Sequence, residues 1–327
     1  MSNIFSHQHA TALMFLEQAS PRTIPAGTIR FEGYESGPVI PGLEQGAVPQ
    51  GLAYSAAADL IFISYYFQHK QHPSVIAVID RASGQALQTL TLKESESELH
   101  YGHVGGLAVD DHFLWVASRE KVYQYDLAAF LKGSQQQVIV PLQAFIPEAW
   151  ASFSTYHDGL LWVGEFVYQA SKYHSNASHH TRDRAGQPHY AWICGYETAT
   201  LDVETPRPRS LLSVRQKVQG IQIRGEYIFL SISYGRRNDS LLAVYHNPFR
   251  DSPHTHISWD DGGSVPLWYL DETNLIVEIV LPPLSEGITR IGEKLAVLFE
   301  SGAQKFQHGR KTPIDQLLLL DSQKLVP

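Results

Sequence analysis

The stretch Pro49-Gln50-Gly51-Leu52 opens a short apolar strand, and its grammar returns four times: Val104-Gly105-Gly106-Leu107, Trp150-Ala151-Ser152-Phe153, Val218-Gln219-Gly220-Ile221 and Ser285-Glu286-Gly287-Ile288. A second apolar strand follows each copy. These read Leu60 to Ser64, Phe113 to Ala117, Leu160 to Gly164, Tyr227 to Ser231 and Leu295 to Phe299. Third strands are read at Ser74 to Asp80, Lys121 to Asp126, His189 to Ile193, Ser240 to Tyr245 and Gln316 to Asp321. Fourth strands are read at Ala86 to Leu92, Gln137 to Leu142, Arg209 to Val214 and Leu275 to Leu281. Their β-branched and aromatic content and the Asp-Gly, Ser-Gly and Arg-Gly turns between them agree with strand rather than helix. A repeat of four short strands predicts an all-β fold, a β-propeller of five blades, with six as the alternative because the third and fourth units are long.

The fifth unit runs out of chain after its third strand. An open edge would leave unpaired backbone groups, so a closed ring must recruit a strand from elsewhere. The expected source is the N-terminus, at Thr28-Ile29-Arg30-Phe31-Glu32-Gly33, within a closing segment at 28–34. Residues 1–27 read as an extension whose Ala10, Leu13, Met14 and Leu16 have amphipathic helical spacing.

The chain has 327 residues, 43% hydrophobic and 18% charged, which suits a single propeller domain over 1–327. Its formal charge is −8 and it has no basic run, so neither nucleic acid nor an anionic membrane surface is an expected partner. No stretch approaches the roughly 20 apolar residues of a membrane helix. The opening residues lack the basic start and long apolar core of a secretory leader, so the expected location is cytoplasmic. A secreted protein whose leader has been removed is the alternative. The single cysteine, Cys194, lies in an inner-strand pattern and reads as a buried, inert thiol.

In a propeller the first strand of each blade lines the central channel. The residues just before each Gly or Ser therefore ring the channel mouth. This inner ring reads Gln50, Gly105 with His103 above it, Ala151 with Trp150, Gln219 and Glu286. A wider ring at the ends of the second strands reads Tyr65 and Tyr66, Arg119, Glu165 and Phe166, Tyr234 with Arg236, and Glu300. A pocket with a few convergent polar groups is the default location for a site. Glu286 is the one charged residue of the inner ring and is the first candidate for general acid/base or metal ligand. Glu165 and Glu300 end strands at matching positions, and either can supply a second carboxylate. Each of the three has a structural alternative, as an acceptor of backbone N–H bonds or a partner of an arginine. His103 is the candidate proton shuttle. Gln50, Gln219, Tyr65, Arg119, Trp150 and Tyr234 are the candidate substrate contacts.

Two insertions, at 165–188 and 246–265, carry further histidines. His174, His179 and His180 have spacing that a surface zinc site could use, as do His254 and His256 with Asp260 and Asp261; a solvated loop is the alternative for both. There is no Gly-rich phosphate loop, no Gly-x-Ser-x-Gly elbow and no His-Glu-x-x-His helix. Without a βαβ unit, nicotinamide and flavin are not expected.

The repeat grammar resembles the propeller group that includes the gluconolactonase, paraoxonase and strictosidine-synthase-like proteins. Gln50-Gly51-Leu52 with Val78-Ile79-Asp80, and Glu286-Gly287-Ile288-Thr289, also resemble the five-bladed plant and bacterial glutaminyl cyclases. The second resemblance implies an acid/base role for the glutamate of the Glu-Gly motif. The first implies a channel cation held by Glu, Asn and Asp, and here only Glu286 matches. The resulting expectation is an enzyme acting on a small polar molecule at the channel mouth by carboxylate and histidine chemistry, of hydrolase, lactonase, cyclase or lyase type. No organic cofactor is required, and a divalent cation is left open. The alternatives are a propeller that only binds a ligand or partner protein, and a metal-dependent lactonase-like hydrolase.

Overall fold

The computed structural model describes residues 20–68, 72–133, 135–201, 204–259, 262–306 and 313–326. The helical pattern in the first residues, and Asp260 and Asp261, lie outside them.

Five antiparallel blades form the ring, as the repeat predicts. The first comprises Ala47–Ser55, Leu60–Phe67, Val75–Asp80 and Ala86–Leu92. The second comprises Gly106–Val109, Phe113–Ser118, Lys121–Asp126 and Gln143–Phe145. The third comprises Phe153–His157, Leu160–Gly164, Ala191–Glu197 and Ser210–Val214. The fourth comprises Val218–Arg224, Tyr227–Ile232, Ser240–His246 and Leu275–Leu281. The fifth comprises Ser285–Ile291, Lys294–Phe299 and Gln316–Asp321, completed by Tyr34–Val39.

An N-terminal strand thus closes the last blade, but it is Tyr34–Val39 rather than the segment at 28–34. Tyr34, Glu35 and Ser36 pair with Leu320, Leu319 and Leu318. The Thr28 to Gly33 stretch is used differently: Thr28 N–H closes a turn on Pro25 C=O at 3.1 Å, and Ile29 and Phe31 pack onto the core between the fourth and fifth blades. Its apolar residues go into packing, and the residues that follow supply the edge strand.

The core is divided among the five interfaces between blades. Ile61, Ile63 and Tyr65 face the fifth blade, whereas Phe62 of the same strand faces the second. Trp115 and Cys194 meet between the second and third blades, Phe153 and Ile221 between the third and fourth, and Phe229 and Val297 between the fourth and fifth. Most strands are buried on both faces, and this is why the repeat reads as near-continuous apolar runs. Cys194 is fully buried, and burial pushes its thiol well above the ordinary value.

The inner strands approach closely around the channel, which explains the recurrent glycine. A Cβ on Gly287 would lie 2.7 Å from Leu52 N, and one on Gly106 would lie 2.6 Å from Ser154 N. The Asp158-Gly159 turn has φ of 48° and 77°, the left-handed pair that a tight hairpin needs.

Two expected elements are redeployed at outer edges. The apolar stretch read as a fourth strand at Gln137 to Leu142 instead forms Gln136–Ile139, which adds in parallel to Ala86–Leu92 of the first blade. The true fourth strand of the second blade follows at Gln143–Phe145. Likewise the 246–265 insertion contributes the hairpin Thr255–Ser258 and Ser264–Tyr269, whose second strand adds in parallel to Ser210–Val214 of the third blade. In both cases the connection before a blade's last strand covers the edge of the preceding blade, removing an exposed ladder.

Candidate functional site

A cavity of about 620 Å³ opens at the channel mouth. Its floor holds Gln50, Gln219, Glu286 and Glu300, and His103 and Tyr66 stand beside them. Trp150, Phe166, Tyr173 and Tyr234 form an aromatic wall, and Arg119, Arg236, Lys305 and Phe306 complete the lining.

A chain of hydrogen bonds crosses the floor. Gln50 Nε2 donates to Glu300 Oε2 at 3.0 Å and to its neighbour Pro49 C=O at 2.9 Å. With the amide N–H groups so engaged, Gln50 Oε1 is an acceptor, and His103 Nδ1 lies 3.3 Å from it. This assigns the imidazole proton to Nδ1. Glu300 and Glu286 hydrogen-bond to one another, and Gln219 Nε2 donates to Glu286 Oε1 at 3.3 Å.

Both carboxyls are nearly sealed from solvent, at 5% exposure for Glu286 and 8% for Glu300. Burial, then the neighbouring Glu300 charge and hydrogen bond, raises Glu286 well above the ordinary carboxyl value. Burial also raises Glu300, to about 7, against the opposing pull of Lys305, Glu286, Gln50 and Arg236. The two titrate as one unit, and at neutral pH they share at least one proton. His103 is lowered to about 4, first by burial and then by Lys305, Arg119 and Lys172, so it is a neutral imidazole. Its ring lies 3.9 Å from that of Tyr66.

Of the candidates named from sequence, Glu286, Glu300, His103, Gln50, Gln219, Arg119, Trp150 and Tyr234 all line this cavity. Glu165 and Tyr65 do not. Glu165 accepts from Trp192 N–H at 2.9 Å and from His179 Nδ1 at 2.7 Å, turned into the blade. The position matches that of Glu300, but the backbones diverge. Glu300 N–H bonds the C=O of Leu284, just before the inner strand, at 3.0 Å, whereas Glu165 N–H follows the outer strand to Trp192 C=O at 3.3 Å. Tyr65 is fully buried because it shares the face of Ile61 and Ile63; one residue on, Tyr66 turns to the cavity.

Tyr66, Phe166 and Arg236 stand in the outer ring that sequence reading outlined, but no property of the sequence singles them out. Tyr173, Lys305 and Phe306 come from loops with no repeat signal. Lys305 Nζ donates to the Tyr66 hydroxyl and lies 4.9 Å from the Phe306 ring centroid.

The insertion histidines do not converge. His179 is buried between Glu165 and Glu148 and stacks on Trp192 with centroids 4.2 Å apart. Burial opposes its charge, and the Glu148 and Glu165 carboxylates outweigh it, holding His179 at about 9 as an imidazolium. His174 bonds Gln169, His180 approaches Ser175, and His254 Nδ1 accepts from Tyr269 N–H at 2.9 Å. Among the described residues no group of three His, Cys, Asp or Glu side chains is placed to hold a metal ion. No helix among them is long and apolar enough to cross a membrane.

No protein-family model matches the chain, and no curated protein matches it. Among solved structures it is similar to the GH43_1 enzyme from Xanthomonas citri complexed with xylotriose, at 9% identity and a TM-score of 0.50, covering 88% of this chain and 90% of that one. It is also similar to Myxococcus xanthus glutaminyl cyclase, at 10% identity and a TM-score of 0.46, over 88% and 95% of the two chains. A putative glucose dehydrogenase-type oxidoreductase from Thermus thermophilus matches at 13% identity and 0.43, over 88% and 99%. At such identities the likeness is one of fold, and the fold is the β-propeller that the repeat predicts.

Proposed function

We propose that the protein is an acid–base enzyme acting on a small polar molecule in the channel-mouth cavity, with Glu286 and Glu300 as its catalytic pair. The observation that carries this reading is the directly hydrogen-bonded carboxyl pair, sealed at the floor of an open cavity. A buried carboxyl pair is costly to a fold, and its one mutual hydrogen bond offsets only part of that cost. What it offers is one group holding a proton and one able to accept a proton at the same pH.

In such a pair the protonated member donates to a developing oxyanion or leaving group. The other removes a proton from water, for hydrolysis or ring opening, or from a nucleophile within the substrate, for cyclisation. Gln50 and Gln219 hold the carboxyls through their amide N–H groups. His103, neutral and fixed by Gln50, presents Nε2 as the ring's acceptor. Direct contact between the carboxyls is closer than the separations of about 5–9 Å used in glycoside hydrolysis, so proton transfer is favoured over glycosyl displacement.

A turnover screen over lactones, small esters and N-terminal glutaminyl peptides tests the proposal, run with wild type, E286Q and E300Q. Wild-type turnover of at least one class should fall by about 100-fold or more in each variant. Equal turnover in the wild type and both variants contradicts the assignment.

A further inference from the structure

The cavity differs in charge from the protein that contains it. The chain carries a formal charge of −8. Around the cavity, however, three cations, Arg119, Arg236 and Lys305, face only two carboxyls, and these lie against each other. Arg119 Nη2 is spent on Tyr101 C=O at 2.6 Å. Arg236 and Lys305 are placed differently. The Arg236 guanidinium lies 5.1 Å from the centroid of Phe306, and Lys305 Nζ lies 4.9 Å from the same ring. Both positive charges thus lie against the same phenyl ring at the cavity wall. Among the described residues neither makes a salt bridge with a carboxylate.

Arg236 and Lys305 repel one another, the Glu300 carboxyl that both act on is held against Glu286, and a bound anion within reach of the two cations relieves that repulsion. A guanidinium beside an ammonium suits a carboxylate, which the planar fork of Arg236 can take with two parallel bonds. The cavity is also lined by Phe166, Tyr173 and Tyr234, with the Phe166 ring 5.3 Å from Tyr173 and 6.1 Å from Tyr234. That wall fits a flat or apolar body rather than a second charge.

From this geometry we infer that the substrate is an organic carboxylate. Its anionic group lies within reach of Arg236 and Lys305, its body lies against the aromatic wall, and its reacting atom reaches the Glu286–Glu300 floor. The inference rests on the reading of this cavity as a substrate site. Arg236 and Lys305 then select by charge, while the carboxyl pair does the chemistry.

Calorimetric titration of wild type, R236Q and K305M with benzoate, phenylacetate and indole acetate, each against its neutral amide, tests the inference. At least one carboxylate should bind wild type about tenfold or more tightly than its amide, with affinity falling as salt rises. R236Q and K305M should each erase about tenfold of carboxylate affinity and leave amide affinity within about twofold. Amides that bind as well as the acids, no binding by any of the acids, or carboxylate affinity unchanged in both variants would each overturn the inference. E286Q, titrated alongside, keeps the two proposals apart. Retained carboxylate binding with lost turnover supports both, whereas charge-blind binding with Glu286-dependent turnover removes only the substrate class.

Discussion

Replacing Glu300 with Gln should stabilise the protein in alkaline solution. Glu300 lies at about 7 in the folded state, against an ordinary value of 4.5. A carboxyl raised on folding contributes stability that is complete below its unfolded value and is lost as pH climbs through its folded value. The window therefore runs from about pH 4.5 to a little above pH 7. Over it, a rise of that size at about 1.4 kcal/mol per pH unit removes about 3 kcal/mol from the wild type. The amide of E300Q does not ionise, can still accept from Gln50 Nε2, and can donate to Glu286. Unfolding of a chain this long carries an entropy of about 0.7 kcal/mol/K, so about 3 kcal/mol corresponds to roughly 4 °C in Tm. The assay is thermal unfolding followed by circular dichroism at about pH 5 and about pH 8.5, supported by urea titration at both. The Tm advantage of E300Q over wild type should grow by roughly 4 °C between the two conditions. An advantage that does not change with pH would refute the reasoning. A change of opposite sign would also refute it, because it would mean that Lys305 and Arg236 outweigh burial and hold Glu300 as an ordinary ion-paired carboxylate.

Other consequences can be measured independently. His179→Gln should destabilise the fold by about 3 kcal/mol at neutral pH, because the histidine is raised to about 9 by Glu148 and Glu165; the deficit should shrink as pH rises through that value, as read by urea unfolding. Gly287→Ala places a Cβ 2.7 Å from Leu52 N and 3.0 Å from Gln50 C=O, so it should cost about 1–3 kcal/mol and disturb the neighbouring Glu286. Removing residues through Val39 uncovers the edge of Gln316–Asp321 and should increase concentration-dependent association in sedimentation relative to wild type. Trp150→Ala, at a side chain 51% exposed on the rim, should leave Tm within about a degree while reducing ligand affinity in the titrations described above.

The fold was legible because every blade needs the same local solution. Gly51, Gly106, Gly220 and Gly287 recur where inner strands crowd the channel, and strands buried on both faces must be apolar throughout. The closing strand was misplaced by several residues because Ile29 and Phe31 look like strand residues in isolation, and only the blade core beneath them shows that they are packing residues. The stretch Gln137 to Leu142 reads as the second blade's own fourth strand for a related reason: an apolar β-prone stretch can complete its own sheet or cover the preceding one, and tertiary pairing decides. In the site, Glu286 was visible as the one charge in a ring of Gln, Gly and Ala. Glu300 and Glu165 were equivalent on paper, and backbone pairing one residue beyond each strand separates them. Tyr65 was one residue out of register with Tyr66, and a slip of one in a strand moves a side chain to the opposite face. Lys305, Phe306 and Tyr173 reach the cavity from irregular loops, where no period marks which side chain points inward.

The central claim is that Glu286 and Glu300 hold a shared proton at the channel mouth at neutral pH. Difference infrared spectroscopy of wild type against the E286Q/E300Q double variant tests it most directly. The account predicts a protonated-carboxyl C=O stretch in wild type at about pH 7 that is missing from the double variant and disappears only in more alkaline solution. Spectra at that pH showing only ionised carboxylate bands lost on substitution would contradict it.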